Sequence, residues 1–175
     1  MTPDLRYPIG PFVRPDTSTI TDRASRIDTL AQAPAALRAA VNGLSEAQLD
    51  TPYRDGGWTV RQVVHHLADS HLNAYIRVRL VLTEHEPPLK PYDEQAWAAL
   101  IDARTGPIAW SLSILDGIHA RWTALAHTMP GESYARVGLH QANGPMTLDA
   151  LFAMYAWHSQ HHVAHITGLR ERNGW

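Results

Sequence analysis

Four stretches of this chain repeat apolar residues at the helical period, and no strong strand run competes with them. The clearest is Val60, Val63, Val64, Leu67, Ala74, Val78 and Leu82, one side of a helix that reaches about Thr83. Thr59 and Gln62 have capping-box spacing at its start. A second pattern, from about Thr19 to Val41, carries Ile20, Ile27, Leu30, Leu37 and Val41. Pro34 lies inside it and predicts a kink or a restart. A third pattern runs from about Pro107 to His127, and the last from an N-cap at Thr147 to about Arg172. "GLSEAQLD", with capping-box spacing at Ser45 and Gln48, and "YDEQAWAAL" read as short helices. "MPGESYARVGLHQANGPMT" is a long connection, part of which suits a small hairpin. The expected fold is all-α, a four-helix bundle. Connections of roughly 15–25 residues exceed tight antiparallel links, so crossovers or functional loops are expected. Residues 1–17 hold four prolines and read as an extended arm on the surface.

Composition narrows the chemistry. The 175 residues suit one domain, 1–175, with a real core. A formal net charge of −2 gives no electrostatic reason for a nucleic-acid or acidic-membrane partner. There is no cysteine, so any transition-metal site must use His, Asp, Glu or backbone. The N-terminus lacks a basic segment followed by an apolar one, and no run of about 18 apolar residues occurs. Neither a signal peptide nor a membrane span is expected, and a cytoplasmic protein is the simplest reading.

The eleven histidines are the unusual feature. A helix turns about 100° per residue, which sorts them. On the last helix Leu148, Leu151, Phe152, Tyr155, Ile166 and Leu169 mark the buried side. His162 falls within it and His158 at its flank. His161 points towards the polar side, and His165 sits near the azimuth of His158, two turns on. His158 and His162 are four apart, the spacing at which one helix offers two imidazoles to one metal. Taken alone, such a pair fits hydrogen-bonded core histidines better than a metal site. The segment after Thr59 adds a polar row, His66, Ser70, Asn73 and Arg77, along the edge of its apolar side. His65 projects towards solvent and His71 falls within the apolar stripe. His66, His158 and His162 would supply three ligands and leave a fourth position open, as in catalytic zinc sites. Ser159 follows His158, so this is not HExxH; Glu-x-x-His pairs, phosphate-binding glycine motifs and GxSxG are also missing.

"GGWTVRQVVHHLADSH", "LKPYDEQAW" and "YAWHSQHHVAHI", in this order, resemble the DinB/YfiT superfamily, closest to its YfiT branch. The resemblance covers nearly the whole chain. Members of that branch are described as metal-dependent hydrolases and as bacillithiol S-transferases. The resemblance implies a DinB-like bundle, one Zn2+ or Ni2+ per chain, a homodimer and a cytoplasmic location. It assigns His66, His158 and His162 as the metal ligands. Many relatives carry Gln where this chain has His165, leaving His165 either a companion of the ligands or structural.

Three neutral imidazoles leave a metal its full charge, which acidifies a bound water or a low-molecular-weight thiol such as bacillithiol. The expected function is therefore a hydrolase or a thiol S-transferase acting on a small molecule. The alternative is a non-enzymatic, stress-related metal or small-molecule binding module. Asn73, Arg77, Lys90 and Tyr92 are the candidate substrate contacts, with an ordinary surface ion pair as the rival reading for Arg77. Asp69 either orients a histidine or is a solvated charge. Trp58, Trp97 and Trp157 read as packing residues. Glu84, Asp93 and Glu94 flank the proline loop as unranked acids.

Overall fold

The computed structural model describes residues 4–175. Four long helices form the bundle: α1 (Ile20–Val41), α3 (Val60–Thr83), α6 (Ile108–Thr128) and α7 (Leu148–Asn173). Short helices α2 (Glu46–Leu49), α4 (Glu94–Ala98) and α5 (Ile101–Thr105) lie in the connections. Local chemistry sets the starts. The Thr59–Gln62 and Ser45–Gln48 pairs close capping boxes, and Thr147 accepts from the Ala150 amide. Thr19 and Asp22 form a further box at the start of α1.

Helix α1 runs through Pro34 without a restart. Proline has no N–H to give the carbonyl four residues earlier, so the Leu30 carbonyl lacks its usual helical partner.

The apolar core has two parts. One gathers Leu30, Val78, Trp122, Leu151, Phe152 and Tyr155; the other gathers Leu37, Val64, Leu67, Leu112, Leu115 and Ile166. Each long helix contributes to both. Helices α1 and α7 run from the first cluster to the second, while α3 and α6 run the opposite way. Helix α1 packs against α6 and α7, and so does α3, which leaves α1 and α3 diagonal. Neighbours α3 and α6 thus run in the same direction. The chain between them must return along the bundle's length, and residues 84–107 do so.

The all-α expectation omits a small sheet. Strands β1 (Pro88–Leu89), β2 (Val137–His140) and β3 (Gly144–Thr147) pair in that order, parallel and then antiparallel. The hairpin suggested by the 129–147 connection is β2–β3, preceded by a 3-10 turn at Gly131–Ala135. Arg136 fastens this unit to the bundle by donating to the Val81 and Glu84 carbonyls at the end of α3. At Gly138 the sheet comes so close to α3 that a Cβ would stand 2.6 Å from Leu89 Cδ1 and 2.7 Å from Val81 Cγ2. Gly138→Ala should therefore destabilise the protein by about 1–3 kcal/mol, read as a thermal midpoint lowered by roughly 2–4 °C per kcal/mol. An unchanged midpoint would show that the sheet is not pressed on α3.

Candidate metal centre

Between the two apolar clusters all four long helices carry or bond to buried histidines. His66 comes from α3, and His158 and His162 come from successive turns of α7. His66 Nε2 lies 3.2 Å from His158 Nε2, and His162 Nε2 lies 3.1 Å from the same atom. One ring nitrogen from each lies within 4.8 Å of the others.

Burial keeps these rings neutral. It pushes His66 down to about 4, helped by nearby histidines, and holds His158 and His162 well below the ordinary histidine range. Neutral imidazole is the form that binds a metal. The cluster meets a cavity of about 340 Å3 walled by Tyr7, Trp58 and Trp157. Three nitrogen donors closing on one point, with a cavity on the remaining side, fit a divalent transition-metal ion.

His161, His162 and His165 form a second group of close ring nitrogens. Within it His162 Nδ1 lies 3.3 Å from His165 Nδ1. A neutral imidazole has one lone pair, so His162 can serve only one of the two groups.

Two of the remaining histidines, His161 and His65, depart from their sequence-based places. His161, expected towards the polar side, is buried: its ring stacks on Trp157 at 4.3 Å, and Tyr7 of the arm lies at 6.1 Å. His65, expected to face solvent, is buried beneath the α5–α6 junction. Its ring nitrogens lie 2.7 Å from Ser111 Oγ and 3.1 Å from the Gly106 carbonyl. His71 occupies the core as expected, but its Nε2 lies 3.2 Å from His158 Nδ1 and its Nδ1 lies 2.9 Å from His119 Nε2. His119 was not singled out by sequence. It recurs at helical spacing with Leu115 and Trp122, and a lone histidine in an apolar stripe was the available signal. His165 touches His162, and its Nε2 lies 3.2 Å from the Arg6 carbonyl. The arm therefore lies over the histidines of α7, with Trp157 also donating to the Gly10 carbonyl.

A second cavity, about 530 Å3, reaches His158 from the side of the returning connection. Ser70, Arg77, Tyr92, His140 and Tyr155 line it. Arg77 is buried and donates to the Tyr155 hydroxyl at 2.9 Å and the Lys90 carbonyl at 2.7 Å. Among the described residues it forms no ion pair, so the surface pairing considered from sequence does not occur. Among the described residues the buried Tyr92 hydroxyl has no hydrogen-bond partner. Asn73 turns its amide back to the Asp69 carbonyl and lines neither cavity. Asp69 is pushed up to about 6 by burial, with Asp102 adding to the effect. Its carboxylate is hydrogen-bonded to none of the histidines.

The DinB superfamily model matches residues 29–166. The chain belongs to the DinB superfamily. It is 47% identical over 173 residues to a Bacillus subtilis protein named "Putative metal-dependent hydrolase YfiT", covering 98% of this chain and 97% of that one. A Bacillus licheniformis protein, also named a "Putative metal-dependent hydrolase", is 49% identical over 172 residues, covering 98% of each. The solved structure of Bacillus subtilis YfiT, described as an unusual four-helix bundle, superposes with a TM-score of 0.95, covering 98% of both chains at 48% identity. The expected DinB-like bundle is therefore the fold.

The buried histidines predict a pH response of the metal-free protein. In the unfolded chain they take up protons near 6.5, whereas folded His66, His161 and His165 resist until about 4. Between these values the unfolded state binds more protons, so stability falls as pH falls. The thermal midpoint should hold above about pH 7 and drop from 6.5 towards 4. A midpoint that rises on acidification through this window would contradict the burial of neutral rings.

Proposed function

We propose that this protein is a metal-dependent hydrolase whose ion, Zn2+ or Ni2+, is held by His66, His158 and His162. The observation that carries the reading is the convergence of three Nε2 atoms beside a cavity. The names of the full-length relatives support it. An ion bound there would lower the pKa of an oxygen or sulfur donor brought to it. The chain's own residues would do the rest. Trp58 and Trp157 would line the approach to the ion. Arg77, a buried cation without a carboxylate partner among the described residues, would bind an acidic group on the substrate. Tyr92 would bring an unused hydroxyl to the same cavity. Asn73, with its amide committed to its own helix, is the weakest of the proposed contacts.

Two cavities meeting at His158 favour a second reading, transfer from a low-molecular-weight thiol such as bacillithiol. One reactant would occupy each cavity, and with no cysteine in the chain the sulfur would come from outside. Self-association belongs to the same proposal, supported by exposed Leu72, Ile76, Ile101, Trp110 and Ile114. No helix among the described residues is long and apolar enough to cross a membrane.

A screen of metal-loaded protein should compare ester and amide hydrolysis with thiol conjugation to a model electrophile. His158→Ala should bring the metal well below one ion per chain and activity to background. Arg77→Met should raise KM for acidic substrates about tenfold to a hundredfold, leaving neutral ones nearly unchanged. Activity that survives the loss of His158 would refute the site.

A further inference from the structure

The contacts behind the cluster fix where its protons sit. A backbone carbonyl only accepts hydrogen bonds. The Leu30 carbonyl, left free by Pro34, lies 2.6 Å from His119 Nδ1, so that nitrogen carries the proton. His119 and His71 are buried, and among the described residues neither is hydrogen-bonded to a carboxylate, so each ring is neutral with one N–H and one lone pair. His119 Nε2 then holds a lone pair and accepts from His71 Nδ1 at 2.9 Å. His71 Nε2 in turn accepts from His158 Nδ1 at 3.2 Å. The only lone pair left on His158 is on Nε2, the atom in the cluster.

A shorter chain reaches His162. The Arg6 carbonyl accepts from His165 Nε2 at 3.2 Å, so His165 Nδ1 accepts from His162 Nδ1 at 3.3 Å. His162 is likewise left with its lone pair on Nε2.

We propose that His119, His71 and His165 are positioning residues. They form two relays, anchored on the Leu30 and Arg6 carbonyls, that lock His158 and His162 as Nδ1–H tautomers. The proposal rests on the metal-site reading above and extends it. The two Nε2 lone pairs face each other at 3.1 Å. His66 has one proton at most to offer on Nε2, enough for one of them. The relays therefore hold an arrangement that a cation completes. They do so with imidazoles and carbonyls where carboxylates often orient metal-binding histidines, so no negative charge is added beside the ion. The second relay also ties the seating of the N-terminal arm to a ligand.

Nitrogen-15 NMR of histidine-labelled, metal-free protein tests the tautomers directly. The expected pattern is Nδ1–H at His71, His119, His158 and His162, and Nε2–H at His165. An Nε2–H tautomer at His158 or His162 would overturn the proposal. Zn2+ affinity by chelator competition is the second arm. His119→Leu, checked for an intact fold by circular dichroism, should weaken Zn2+ binding about 10- to 100-fold. His119→Gln should restore it to within a few-fold, because its amide can donate to Leu30 and accept from His71. Unchanged affinity in a folded His119→Leu variant would also overturn the relay. If His119→Leu fails to fold, the wild-type spectrum decides. Failure of the wild type to bind Zn2+ would count against the metal site, and the spectrum would still judge the relay.

Discussion

A layer of buried imidazoles crosses the bundle where an apolar core would otherwise be continuous. His66, His71, His119, His161, His162 and His165 are buried, and His158 is partly buried. Polar groups removed from water are costly unless each finds a partner, so this layer constrains everything around it. Most of its partners are other imidazoles or backbone carbonyls. That choice keeps the layer neutral, leaves ring nitrogens able to bind an ion, and divides the apolar core in two.

The topology serves this layer. Because α3 and α6 are neighbours running the same way, the chain between them must travel back along the bundle. On that return it brings Tyr92, Glu94 and Gln95 to the cavities that flank His158. The sheet closes the second cavity with His140, and the arm covers the opposite side with Tyr7 and the Arg6 carbonyl. A site at the middle of four helices thus acquires walls from three separate connections. Pro34 has a local effect of the same kind, since the hydrogen bond missing inside α1 leaves an acceptor for His119.

Much of this was legible in the sequence. Period and caps placed the four long helices, because each buries one regular stripe. The same period brought out His66, His158 and His162, since side chains that helices bring to one point obey helical geometry. It failed for His65 and His161. Their burial depends on Gly106, Ser111 and Tyr7, which arrive from other parts of the chain and leave no mark on a helical wheel. Pro34 was read as a kink or a restart, and the acceptor it leaves required Leu30 and His119 to be seen together across 89 residues. Arg77 lay on the polar row as read, while its lack of a carboxylate partner could be known only from the folded chain.

A crystal structure of the metal-loaded protein, with the ion located by anomalous scattering, tests the central claim most directly. One ion is expected about 2.0–2.1 Å from the Nε2 atoms of His66, His158 and His162, facing the cavity beside Trp58. An ion bound instead through Nδ1 of His162, among His161 and His165, would contradict it. So would fully metal-replete crystals with no ion between α3 and α7.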